Sequence, residues 1–106
     1  MKAGGAVGPT RDQQIRRKIR WGGRCQGVGF RYTAQDLANR LGLTGWARNE
    51  PDGTVEMEVQ GPAEQVARFL SAMPNAYRRL PSIKFWVEDL ESEPVDTQET
   101  SFRVRY

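Results

Sequence analysis

The chain has 106 residues, a net charge of +3, 38% hydrophobic and 27% charged residues, which suffices for one domain around one core. It contains no histidine and a single cysteine, Cys25. This excludes an intrachain disulfide framework and histidine acid–base chemistry, and leaves a poor ligand set for zinc. The charge favours anionic ligands without requiring a nucleic acid. No apolar run reaches the length of a membrane span or a secretory signal, so a cytoplasmic protein is expected.

Residues 1–13 carry Gly4, Gly5, Gly8 and Pro9 with few apolar side chains. They read as a flexible tail ahead of a single domain, 14–106. From Ile15 the pattern alternates, with Ile15, Ile19 and Trp21 on one side and Arg16, Lys18 and Arg20 on the other. That is a half-buried strand whose basic side reads as solvated. Gly22, Gly23, Gly27 and Gly29 then mark a glycine-rich loop.

Ala34, Leu37, Ala38 and Leu41 recur at helical spacing and predict a first helix from about Thr33 to Leu41, with Gly42 just past its end. Thr44 to Asn49 reads as a second strand and Thr54 to Gln60 as a third, joined by a Pro51-Asp52-Gly53 turn. A stripe of Val66, Phe69, Leu70 and Met73 predicts a second helix from Pro62 to Met73. Ile83, Phe85 and Val87 mark a fourth strand, and Phe102, Val104 and Tyr106 a fifth. The expected core is the two helical stripes with Ile15, Ile19, Val55, Met57, Val59 and Val87.

This order points to an α+β fold, the ferredoxin-like split β-α-β sandwich: a five-stranded antiparallel-type sheet with two helices on one face. A strand–helix–strand unit is a right-handed crossover between parallel strands. The first two strands therefore end at the same edge, which brings the loop from Cys25 to Arg31 beside Asn49.

Glycines in that loop let successive N–H groups turn into one concavity, and the following helix adds its positive end. Arg31 offers phosphate a forked contact. The loop lacks the Lys-Ser/Thr ending of a nucleotide P-loop, and by itself it fits a surface ion pair for Arg31 equally well. Five residues separate Cys25 from Arg31, the spacing of cysteine-dependent phosphatases. Tyr32 replaces the Ser/Thr usual there, and a structural, buried Cys25 is the plainer reading. A non-catalytic RNA-binding module would instead use Arg16, Lys18, Arg20, Trp86, Arg103 and Arg105 on the open sheet face.

Gln26-Gly27-Val28-Gly29-Phe30-Arg31 strongly resembles the phosphate-binding loop of the acylphosphatases. Gly45-Trp46-Ala47-Arg48-Asn49-Glu50-Pro51-Asp52-Gly53-Thr54-Val55-Glu56 looks like that family's second motif, centred on its asparagine. Leu41-Gly42-Leu43 lies between them, and the resemblance runs from Ile15 to Tyr106. Cys25 stands where the family usually has valine, and Asn75 to Ser82 lacks the Gly-Pro pattern common after its second helix. The resemblance implies hydrolysis of an acyl phosphate to a carboxylate and inorganic phosphate, by direct water attack and without metal or cofactor. It assigns the phosphoryl group to Arg31 and the loop amides of Gln26, Gly27, Val28, Gly29 and Phe30, and the attacking water to Asn49. The leaving carboxylate is a weak base, so a chain without histidine needs no general acid. The expected partner is a small-molecule acyl phosphate, with inorganic phosphate released, no membrane or nucleic acid, and a monomeric chain.

Overall fold

The computed structural model describes residues 8–106. In chain order its elements are β1 (Gln14–Gly23), α1 (Phe30–Arg40), β2 (Thr44–Asn49), β3 (Val55–Pro62), α2 (Ala63–Ala76), β4 (Phe85–Glu93) and β5 (Phe102–Arg105). Of the tail expected at 1–13, residues 1–7 lie outside the described residues. Further on, the carbonyls of Arg11 and Gln13 accept from the amides of Glu64 and Ala63 at 3.0 and 2.9 Å. These bonds meet the start of α2, where orphan N–H groups need acceptors.

The strands lie in the order β4-β1-β3-β2-β5. β3 is antiparallel to both β1 and β2, so those two run the same way with β3 between them. That is the split β-α-β arrangement. The sheet is mixed, however, where an antiparallel type was expected: β5 pairs with β2 in parallel, Gly45 opposite Phe102 and Arg48 opposite Arg105. The cause is positional. β4 takes the β1 edge and runs antiparallel to it, so the returning chain must reach the far edge, and there its direction matches that of β2.

Both helices cover one face, α1 over β2 and β5, α2 over β3 and β1. Between helices and sheet lie Ile19, Trp21, Ala34, Ala38, Val55, Met57, Val59, Val66, Phe69, Met73 and Phe102, all buried. Ile15 and Leu37 are partly buried at the margin. Val87 departs from expectation at 40% exposed. Its strand is the sheet edge, beyond the cover of either helix, so alternation there has only one strand to pack against. α1 starts at Phe30 instead of Thr33, because Gly29 at φ 74° turns the loop straight into the first helical turn.

The uncovered face carries rows of alternating sign. Arg16, Lys18 and Arg20 stand opposite Gln60, Glu58 and Glu56 of β3, and opposite Glu93, Glu91 and Asp89 of β4. Lys18 Nζ lies 3.8 Å from a Glu56 carboxylate oxygen. The basic row thus has acidic neighbours on both flanks. Arg16 is not solvated at all, being 5% exposed. It donates to Glu58 at 2.6 Å, to Gln60 at 3.1 Å, and through both terminal nitrogens to Glu99 at 2.8 and 3.0 Å. The Glu99 bonds are the largest cause of a raised Arg16 pKa, so it stays charged.

Glu99 belongs to the segment that carries the chain from β4 to β5, and Gln60 also holds that segment, accepting from the Asp96 amide at 2.7 Å and donating to its carbonyl at 2.9 Å. Arg16→Met should therefore strand two carboxylates and loosen the crossing to β5. We expect a loss of about 3 kcal/mol in urea unfolding. A loss below about 0.5 kcal/mol would show that the bonds contribute little.

Candidate active site

Between β1 and α1 the chain makes two left-handed turns, at Gly27 (φ 77°) and Gly29 (φ 74°). A side chain at either position would be strained. Among the described residues, the N–H groups from Gln26 to Tyr32 find no acceptor of good geometry. Unpaired donors in consecutive turns, continuing into the first turn of a helix, form a concavity suited to an anion.

Phe30 anchors this loop from below. Its ring meets Trp21 at 5.4 Å and Phe85 at 4.8 Å edge-on, and stacks with Tyr77 at 6.0 Å. Phe30 is 2% exposed, so only its main chain is left for a ligand. Gln26 fixes the other side: its amide donates to the carbonyls of Glu50 at 2.7 Å and Thr54 at 2.8 Å. Those carbonyls flank the β2–β3 turn, so Gln26 couples the loop to the strand end that bears Asn49.

The result is a cavity of about 150 Å³ lined by Cys25, Gly27, Gly29, Phe30, Arg31, Tyr32 and Asn49. It joins Arg31 and Asn49 as the crossover argument expects. Gln26 and Val28, also named from the sequence, are outside this lining. The Gln26 side chain faces the turn, and the Val28 carbonyl accepts from the Tyr77 hydroxyl at 2.9 Å. Three larger depressions are present, two of about 590 and 500 Å³ on the helix layer and one of about 230 Å³ beside β5. The two on the helix layer lack the arginine–amide convergence of the smallest one.

Arg31 is held from the last strand. Its Nη1 donates to the Arg105 carbonyl at 2.7 Å, and its guanidinium carbon lies 4.8 Å from the centre of the Tyr106 ring. The Tyr106 hydroxyl meets that of Tyr32. One N–H is thereby committed, and Arg31 keeps further donors at the cavity it lines. Sequence reasoning did not name Tyr32, Tyr77 or Tyr106 as site residues, and it named Arg105 only for an RNA-binding face. For Tyr77 the only signal was its place in the segment that departs from the family pattern.

Cys25 is 1% exposed. Its Sγ lies 3.5, 3.7 and 3.5 Å from the carbonyls of Trp21, Gly23 and Gly53. Burial pushes the thiol pKa up, and the charges of Glu88 and Asp52 add to the rise. A nucleophilic cysteine needs the opposite, a stabilised thiolate. The geometry therefore opposes the cysteine-phosphatase reading. Among the described residues, no group of three or more Cys, Asp or Glu side chains is placed to hold a metal ion.

Comparison with known proteins shows the family. The acylphosphatase family model matches residues 17–104. The chain belongs to the acylphosphatase family. The acylphosphatase of Oceanobacillus iheyensis is 40% identical over 91 residues, covering 84% of this chain and 96% of the relative. The match to the acylphosphatase of Methanospirillum hungatei is 47% identical over 53 residues and spans 58% of that relative. The crystal structure of the Bacillus subtilis acylphosphatase aligns with a TM-score of 0.70 at 30% identity, covering 87% of this chain and 99% of that one.

Cys25→Val places the family's usual residue in the same space, and activity should be kept. The unfolded thiol ionises in the ordinary range while the buried thiol resists. Folded wild type should accordingly lose stability as pH rises past about 8.5, and the valine variant should not share that loss. Thermal midpoints of the two proteins at neutral and alkaline pH measure the difference.

Proposed function

We propose that this chain hydrolyses the carboxyl–phosphate bond of small acyl phosphates, releasing a carboxylate and inorganic phosphate. The observation that supports this reading best is the convergence, in one small cavity, of the Arg31 fork, the unpaired loop amides and Asn49. Oxygens of the phosphoryl group would sit among the amides of Gln26 to Arg31, with Arg31 spanning two of them. Charge developing in transfer would then meet fixed donors that need no reorganisation.

Asn49 would orient a water in line with the leaving group. Its amide can both accept from and donate to that water without setting a negative charge beside the phosphate. The water oxygen bonds to phosphorus as the phosphorus–oxygen bond to the acyl group breaks. The bonding pair leaves on the carboxylate, and the water's proton passes to phosphate oxygen or solvent. None of these steps assigns a role to a metal. The Arg105 carbonyl and the Tyr106 ring act on Arg31 before substrate arrives, limiting the rotamers that must be ordered on binding. The same reading takes the enzyme to be a cytoplasmic monomer.

Hydrolysis of benzoyl phosphate by the purified chain tests this directly, and the rate should be unchanged by EDTA. Loss of activity in chelator, restored by Mg²⁺, would overturn metal independence. Arg31→Ala should cut turnover by about a thousandfold, and Arg31→Lys should fail to restore it. Asn49→Ala should lower turnover while sparing inhibition by inorganic phosphate, because its partner is the water. Full activity in Asn49→Ala would remove the proposed role.

A further inference from the structure

Tyr77 caps the C-terminus of α2, in the segment where this chain departs from the pattern usual in its family. It is 7% exposed. Its ring stacks on Phe30 at 6.0 Å and meets Phe85 edge-on at 5.3 Å. Its hydroxyl donates to the Val28 carbonyl at 2.9 Å and lies 3.2 Å from Thr33 Oγ1, which is then the donor in that pair. One buried phenol thus touches the middle of the loop and the first turn of α1.

The contact has a consequence through peptide geometry. The Val28–Gly29 peptide is trans, so its carbonyl and its N–H point in opposite directions. With the Val28 carbonyl drawn towards the end of α2, the Gly29 N–H points away from α2, and Gly29 lines the cavity together with Gly27 and Arg31. That peptide plane turns about ψ of Val28 and φ of Gly29, and glycine at 29 leaves the second of these unrestricted. Rotated, it would aim a carbonyl oxygen into the cradle, where it would repel a phosphate oxygen and remove one donor.

We propose that Tyr77 is a positioning residue for the phosphoryl group: its hydroxyl, by holding the Val28 carbonyl, keeps the Gly29 amide directed into the anion cradle. The inference rests on the phosphoryl-binding reading given above. It adds a residue outside both sequence motifs, acting from the second helix through a peptide bond. A single net hydrogen bond of about 1–1.4 kcal/mol sets the scale, which corresponds to a change of about five- to tenfold in phosphate affinity.

Tyr77→Phe keeps the ring and removes only the hydroxyl. Inorganic phosphate titrated into the isotope-labelled chain, with the Gly29 amide resonance as probe, should bind wild type and bind Tyr77→Phe about five- to tenfold more weakly. The KM for benzoyl phosphate should rise by a similar factor, with a smaller change in kcat. The Gly29 resonance should already be displaced in the phosphate-free variant. Thr33→Val leaves the phenol its bond to Val28 and should bind phosphate as wild type does. Equal affinities in wild type and Tyr77→Phe would overturn the inference, as would an equal weakening in Thr33→Val. If Tyr77→Phe does not fold, wild type still decides: a Gly29 amide unmoved by phosphate while the Arg31 side chain shifts would count against it. Wild type that neither binds phosphate nor hydrolyses benzoyl phosphate would overturn the functional reading itself.

Discussion

A cradle for an anion must keep its N–H groups unpaired on one side while the same short segment is fixed from the other, and burial of Phe30 meets that constraint. Trp21, Tyr77 and Phe85 surround its ring, and these three come from β1, the end of α2 and β4. Aromatic contacts of this kind hold geometry without consuming backbone donors. Gly27 and Gly29 can then take left-handed turns above the ring, and the loop amides remain available. Had the loop been fixed by main-chain hydrogen bonds instead, its donors would have been spent within the protein.

The other parts of the site are attached to this anchored loop by polar contacts from distant elements. Gln26 reaches the turn after β2, Arg31 reaches the end of β5, and the Val28 carbonyl is met from the end of α2. Each contact ties the loop to an element of the rigid sheet or helix layer. A cavity of about 150 Å³ is small enough that a shift of one such element would change which donors face it. Preorganisation of this sort lowers the ordering cost when ligand binds.

The site also depends on the far side of the sheet. β5 supplies the Arg105 carbonyl to Arg31 only because the segment after β4 crosses to the β2 edge. That crossing is held on the uncovered face by Arg16 and Gln60. Arg16 is thus buried in a position that alternation assigns to solvent, since a folded-over segment shields it. Its charge is matched by Glu58 and Glu99, as burial of a guanidinium requires.

Local pattern carried the elements and both motifs. Period-two and period-3.6 stripes placed five strands and two helices, because those stripes record which side chains must leave water. The crossover rule brought Asn49 to the loop, because handedness follows from chain chirality rather than from particular contacts. Glycine spacing and Arg31 made an anion cradle legible as one of several readings, and the resemblance to a family chose among them. What local pattern could not carry was every contact between segments far apart in sequence. The parallel pairing of β5, the exposure of Val87 and the burial of Arg16 depend on which edge was already occupied and what folded across it. The grips of Arg105 and Tyr106 on Arg31, and of Tyr77 on Val28, arise where chain ends and helix ends meet. No periodicity marks such meetings; only the closed packing of sheet and helices brings those groups within hydrogen-bond reach.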